Sequence, residues 1–308
     1  MRLAGAEPVE ATAGKGEGVP QPRKNYLAGS SPPTVPSSST LLRRYYRGYD
    51  EWGRLVRDPY HRLEFETTLH FLRRYLSRTA RVLDAGGGPG RYAIELAKWG
   101  HQVTLLDLFP EHLEIARRQI QRVHVEGRVQ RVVRGSIDDL SRFRDGEYDA
   151  VLCLGGALGH LVDRRRRRRA LREIVRVAAK RSPVFVSVIG RFGLLEGGLA
   201  VNPQELQEDP ALYRRALRTG DYDGHRGFAP CHFFTPDELG RCFGESGLQV
   251  LASVGLEGLA SQHVRATNAL ARRFPAGWAA WQRMHLRICT DPAIVATSVH
   301  FMVIGSKR

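Results

Sequence analysis

The stretch Val82-Leu83-Asp84-Ala85-Gly86-Gly87-Gly88-Pro89-Gly90-Arg91 constrains the fold of this chain more than any other. A short apolar run meets a glycine-rich turn, and a helical pattern from Arg91 to Trp99 follows until Gly100 stops it. Glycine permits positive φ and lets the backbone lie close against a ligand. The helix start behind the turn offers unpaired N–H groups. Apolar runs at 103–106, 129–133, 150–154 and 184–189 read as further strands, and runs at 248–254 and 298–304 as two more. Between them lie helical faces such as Leu113, Ala116, Ile120 and Val123, or Leu171, Ile174, Val175 and Ala178. Nearly continuous apolar strands alternating with helices predict an α/β fold, a doubly wound and mostly parallel sheet with helices on both faces.

Around this core the chain divides by composition. Residues 1–40 are rich in Gly, Pro and Ser and read as a disordered tail, with order expected from about Leu41. Residues 41–308 read as one domain: a helical segment at 41–78, the core at 79–190, and helical cap insertions at 191–234 and 257–290. The first insertion reads as Gly-rich turns with one polar helix around 203–218, the second as helical with Trp278 and Trp281 embedded. Tyr45, Tyr46, Tyr49 and Trp52 crowd the first segment and fit either core packing or a lid over a ligand.

No apolar run is long enough to span a bilayer, and the N-terminus lacks a secretory core. The expectation is a cytoplasmic protein without a membrane partner. The four cysteines form no CxxC pair, so neither a zinc cage nor a disulfide framework is expected. The net charge of +15 fits either an anionic partner such as nucleic acid or, as the leading reading, a compositional arginine bias spread along the chain. Its densest part, Arg164 to Arg169, begins a helix and fits either a solvated face or an anion-binding patch.

The glycine turn limits the ligand. A dinucleotide fingerprint starting at Gly86 and Gly88 needs a third glycine at 91, where Arg91 stands, and no P-loop Gly-Lys-Ser/Thr is present. Asp84 at the strand end would repel a pyrophosphate and suits a ligand carrying an ammonium and a sulfonium. Asp107, 17 residues after Gly90, can accept hydrogen bonds from two ribose hydroxyls. Asp138 can accept from an adenine amino group or cap a helix, and Ile137 can cover the ring. Gly155-Gly156 forms a flat turn after the fourth strand.

These elements, Asp84 to Gly90, Asp107, Ser136-Ile137-Asp138 and Leu154-Gly155-Gly156, resemble the class I S-adenosylmethionine-dependent methyltransferases over about residues 80–190. The resemblance implies a Rossmann-like sheet of seven strands whose last is antiparallel, and S-adenosyl-L-methionine as cofactor. It implies Asp84, Ala85, Gly86, Gly88 and Gly90 at the methionine moiety, and Asp107 with Leu108 at the ribose. Ser136, Ile137 and Asp138 would lie near the adenine, and Leu154 and Gly155 beside the reacting centre. No metal is implied.

The acceptor is expected to be a small molecule methylated at O or N, with RNA methylation or a non-catalytic binding role as alternatives. Leu154-Gly155-Gly156-Ala157 lacks the Asn/Asp-Pro-Pro-aromatic turn of adenine and glutamine amide methylation, and Pro230-Cys231 falls after the wrong strand for cytosine chemistry. His160 is the candidate general base. His225 and His232 suit surface or packing roles. Tyr49 and Arg62 are candidates to close over the cofactor, with a surface salt bridge as the rival reading of Arg62.

Overall fold

The structure, a computed structural model, describes residues 37–201, 203–224 and 228–308. Its strands are β1 (Arg81–Ala85), β2 (Gln102–Asp107), β3 (Val129–Arg134), β4 (Ala150–Cys153), β5 (Pro183–Ile189), β6 (Asp221–Tyr222), β7 (Cys231–His232), β8 (Leu248–Gly255) and β9 (His300–Lys307). Seven of them make one sheet in the order β3-β2-β1-β4-β5-β9-β8, while β6 and β7 pair as a separate ribbon. Strands β1 to β5 run parallel, and β9 runs antiparallel to both β5 and β8. The predicted α/β fold, seven strands and antiparallel final strand are all present.

The helices are α1 (Ser38–Arg47), α2 (Glu51–Arg54), α3 (Pro59–Tyr75), α4 (Arg91–Lys98), α5 (Pro110–Arg122), α6 (Arg164–Val177), α7 (Arg191–Ala200), α8 (Pro203–Glu208), α9 (Pro210–Thr219), α10 (Pro236–Glu245), α11 (Val264–Arg273), α12 (Pro275–Ile288) and α13 (Pro292–Thr297). Among the described residues no helix is long and apolar enough to cross a membrane.

The two-residue period of the strands sorts the core into two layers. Val82, Val103, Leu105, Leu152 and Phe185 pack with Leu72 of α3, Leu96 of α4 and Leu113 of α5. Their neighbours Leu83, Leu106, Val151, Val184 and Val186 pack on the other face with Leu171 and Ile174 of α6 and with Leu239 and Phe243 of α10. Each such buried side chain stabilises the fold by roughly 1.5–3 kcal/mol. The strand order reverses between β1 and β4, which leaves a crevice at their carboxyl ends.

Proline sets the departures from the expected helices. The polar helix around 203–218 is two, because Pro210 starts α9 with Asp209 accepting from the Leu212 N–H at 3.0 Å. Residues 191–200 form α7 where glycine-rich turns were expected. Pro275 splits the second insertion into α11 and α12, and α13 follows it unforeseen. The last strand starts at His300 rather than 298; Ser298 Oγ instead accepts from the Glu257 and Gly258 N–H groups and donates to Glu257. Order begins before Leu41, since α1 starts at Ser38 with Ser37 as its cap. The rest of the expected tail, residues 1–36, lies outside the described residues.

Both insertions reach back to the first helices. Trp278, Trp281 and Val264 pack on Tyr60 and Leu63 of α3. Ala229, in the connection between β6 and β7, packs with Leu42 of α1 and with Phe109.

Candidate active site

The loops after β1, β2 and β4 surround a cleft of about 900 Å³, open solvent included, and α1 and α2 cover it with Tyr46 and Arg54. Gly86 holds φ of +78°, and a Cβ there would stand 2.7 Å from the Ala157 Cβ, so only glycine fits between the turn and the β4 loop. Asp107 ends β2 with one carboxylate oxygen accepting from the Gly88 N–H at 2.9 Å. Its other oxygen accepts from the Phe109 N–H at 2.9 Å and stands 3.3 Å from His112 Nδ1. The carboxylate is thereby fixed at the cleft wall with a lone pair to spare on the oxygen that accepts from Gly88.

Of the residues expected at the cofactor, Gly86, Gly88, Asp107, Leu108, Ser136, Ile137, Leu154 and Gly155 line this cleft, as does His160. Asp84, Ala85, Gly90 and Asp138 do not. Asp84 is fully buried beneath Gly87, where a Cβ would stand 2.4 Å from its carboxyl carbon. Neither of its oxygens has a hydrogen-bond partner, and burial, with Asp107 adding to it, raises its pKa to about 7. The carboxyl group thus lies against the underside of the glycine turn and does not reach the cleft. Asp138 is drawn away by Arg166, whose Nε donates to it at 2.7 Å, and by the Ser136 hydroxyl. Ala85 and Gly90 are covered by their own neighbours: Ala85 packs in the core layer and Gly90 faces Leu105.

A second chamber of about 1210 Å³, open solvent included, adjoins the first, sharing Tyr46, Glu51, Arg54, Gly155 and His160 with it. Tyr45, Tyr49 and Phe228 form its aromatic wall, with the Tyr45 and Tyr49 rings stacked 5.2 Å apart. Tyr49 therefore faces this chamber and not the cofactor cleft. At the seam, His160 Nδ1 lies 3.0 Å from the Pro230 carbonyl and Nε2 lies 3.0 Å from the Tyr46 hydroxyl. A carbonyl only accepts, so Nδ1 carries the proton. Burial lowers the His160 pKa and keeps the ring neutral, so Nε2 accepts from Tyr46. Burial raises the Tyr46 pKa well above the ordinary phenol value, so that hydroxyl stays protonated.

Charges in the chamber wall compensate one another. Arg54 donates to Glu64 at 2.6 and 3.1 Å and to Glu51 at 3.1 Å. Burial opposes ionisation of Glu64, yet Arg54 brings its pKa below the ordinary value. Glu257 holds His300 Nδ1 at 2.5 Å, and these two with Glu64 form a group of metal-ligand type that no sequence spacing announces. Each of the three already has a partner, so the group serves as a wall of ion pairs.

The other sequence candidates lie elsewhere. Arg62 stands 3.4 Å from Glu66 on the exposed side of α3, which is the surface salt bridge. His232 is buried between Asp221 at 2.6 Å and Glu238 at 2.8 Å. His225 lies outside the described residues. The thiol of Cys231 is pushed up to about 12 by burial, which removes it as a nucleophile. Arg54, His112 and the specific placement of Tyr46 escaped the sequence reading; α1 and α2 carry no motif, and only the aromatic crowding hinted at a role.

Residues 82–181 match the model of a family described as a methyltransferase domain. The glycine/sarcosine N-methyltransferase of Parasynechococcus marenigrum is 29% identical over 74% of this chain and 83% of its own length. A ubiquinone biosynthesis O-methyltransferase of Xanthomonas oryzae is 36% identical over 36% of this chain, which spans 44% of that relative. Among solved structures, an S-adenosylmethionine-dependent methyltransferase from Methanosarcina mazei shares the fold with a TM-score of 0.52 at 18% identity, covering 77% of this chain and 96% of that one. Residues 82–181 thus carry a methyltransferase domain, and the chain is similar to S-adenosylmethionine-dependent methyltransferases in sequence and fold. S-adenosylmethionine is its cofactor, and the glycine cradle and fixed Asp107 carboxylate fit that molecule.

Proposed function

We propose that the enzyme methylates a small-molecule acceptor at an oxygen or nitrogen that gives up a proton, and that Tyr46 and His160 take that proton. The observation carrying this reading is the Tyr46–His160 pair at the seam of two adjoining chambers. When bound, the cofactor supplies a methyl group already activated on a sulfonium. Gly86, Gly88, Asp107, Ser136 and Ile137 hold and orient it. Tyr46 accepts the acceptor's proton at its hydroxyl oxygen while passing its own to His160 Nε2, and the Pro230 carbonyl steadies the imidazolium through Nδ1–H. The aromatic wall of Tyr45, Tyr49 and Phe228 and the paired charges of Arg54, Glu64 and Glu257 exclude water and select a compact acceptor. Two relatives, one named for N-methylation of glycine and sarcosine and one for O-methylation in ubiquinone biosynthesis, support a small-molecule acceptor.

The test is transfer from methyl-labelled cofactor to a fractionated metabolite extract and, separately, to total RNA. Label in a small-molecule fraction is expected, reduced about a hundredfold or more by His160→Gln. Label in RNA alone would overturn the reading.

A further inference from the structure

Helical spacing divides the arginine run at the start of α6 by direction. Arg166 turns to Asp138. Arg164, Arg167 and Arg168 share a face with Leu171 and line a separate cleft of about 850 Å³, open solvent included. Arg191 of α7, Arg218 of α9 and Arg241 of α10 line the same cleft. Six arginines from four helices thus line one concavity. Two carboxylates answer them: Glu238 pairs with Arg191, and Glu245 with Arg168 at 3.0 Å. The buried Arg167 is fixed by donating to the Leu161 and Val162 carbonyls at 3.0 and 2.7 Å. Arg164, Arg218 and Arg241 make no ion pair among the described residues. The N-terminus of α10 opens on the cleft at Thr235, adding its partial positive charge.

Like charges gathered this closely repel, and an anion within the cleft relieves them. Guanidinium forks match phosphate oxygens, and forks arriving from several helices suit a group presenting oxygens in several directions. A nucleic-acid track would instead spread the arginines in a stripe or elongated groove following the backbone. We propose that this cleft binds a compact anion carrying two or more phosphate groups, at a site separate from the methyl-transfer chambers. Leu158 lines this cleft and His160, two residues on, lines the acceptor chamber, so the two sites share the loop after β4 without sharing their polar groups.

Calorimetric titration of the full chain with tripolyphosphate, at low salt and with S-adenosylmethionine saturating, tests this. One saturable site is expected, weakened about tenfold or more in an Arg218→Ala/Arg241→Ala double variant. Both arginines are exposed, and the variant's melting temperature and cofactor affinity should match the parent's. Adenosine triphosphate binding more tightly than tripolyphosphate would identify a nucleotide as the source of the phosphates; equal affinity would identify the phosphate chain alone. No saturable binding, binding untouched by the double variant, or displacement by the methyl-donor cofactor would overturn the proposal. So would a short RNA that outcompetes both probes and depends on the same arginines.

Discussion

The Tyr46 hydroxyl stands 3.0 Å from Nε2 of His160 although 114 residues separate them in the chain. Helix α1 brings the phenol and the loop after β4 brings the imidazole, so the pair forms only when the N-terminal helices close on the sheet. Phe109 and His112 pack edge-on or tilted against Tyr46, with ring centres 5.4 and 5.2 Å away, and hold its ring in place.

If the pair takes the acceptor's proton, His160→Gln should lower kcat by about a hundredfold or more, and Tyr46→Phe by at least about tenfold. Cofactor Kd should stay within about threefold for His160→Gln. The pH profile gives a sharper check. Burial holds the His160 pKa below its ordinary value, so the ring is already a neutral base at pH 7. Activity should be flat through neutrality and fall only as the solution becomes more acidic than the usual imidazole range. An unchanged acid limb in His160→Gln would assign it to another group.

Asp107 and Asp138 separate a carboxylate at the cleft from one held away from it. Asp107→Ala removes an acceptor that lines the cleft and frees the Gly88 and Phe109 N–H groups. Cofactor binding should weaken about 10- to 100-fold in calorimetry. Asp138→Ala breaks the Arg166 pair, whose arginine side chain is 53% exposed, and should cost stability about 1 kcal/mol or less. Its cofactor Kd should stay within about threefold. A large affinity loss in Asp138→Ala would restore the direct adenine contact that the sequence suggested.

The contrast between those two aspartates shows what the sequence carries. Strand β2 must end near Asp107 because its apolar run ends there, so the acid's place at the crevice follows from pattern alone. Asp138 has the right place in the loop, but its partner Arg166 sits 28 residues on, inside a run whose members look alike until the helix gives each a direction. The sheet was legible for the same reason as Asp107: buried strands must be apolar. The second chamber was not, because Tyr49, Phe228 and Glu257 come from three distant segments and meet only through tertiary packing.

Glycine turns should respond unequally to one added methyl. Gly86→Ala needs positive φ and puts a Cβ 2.7 Å from the Ala157 Cβ, so the β4 loop must shift. A stability loss of about 2 kcal/mol or more is expected, together with weaker cofactor binding. Gly88 also has positive φ, +55°, but its Cβ would meet nothing nearer than Glu51 Cγ at 3.6 Å. Gly88→Ala should cost stability about 1 kcal/mol, from the backbone alone. Chemical denaturation of both variants without cofactor measures the difference, and equal losses would refute the close approach.

The buried acid Asp84 should leave its mark on stability against pH. Its pKa is raised by burial to about 7 in the fold, against 3.8 for an ordinary aspartate. The contribution linked to it is fully present below about pH 4 and is lost as pH rises through about 7, up to about 4 kcal/mol. His285 runs the opposite way: burial depresses its pKa to about 4 from 6.5, so its contribution is present above about 6.5 and is lost as pH falls toward 4. Between about pH 4 and 6.5 the two slopes oppose. Asp84→Asn removes the first and should expose the second, giving a protein whose stability without cofactor rises with pH through that window. By about pH 8 the variant should exceed the parent by about 1–2 kcal/mol, since the amide still lacks hydrogen-bond partners. Urea midpoints of the two proteins at several pH values decide it, and parallel curves would show that Asp84 ionises in the fold as readily as it does in the unfolded chain.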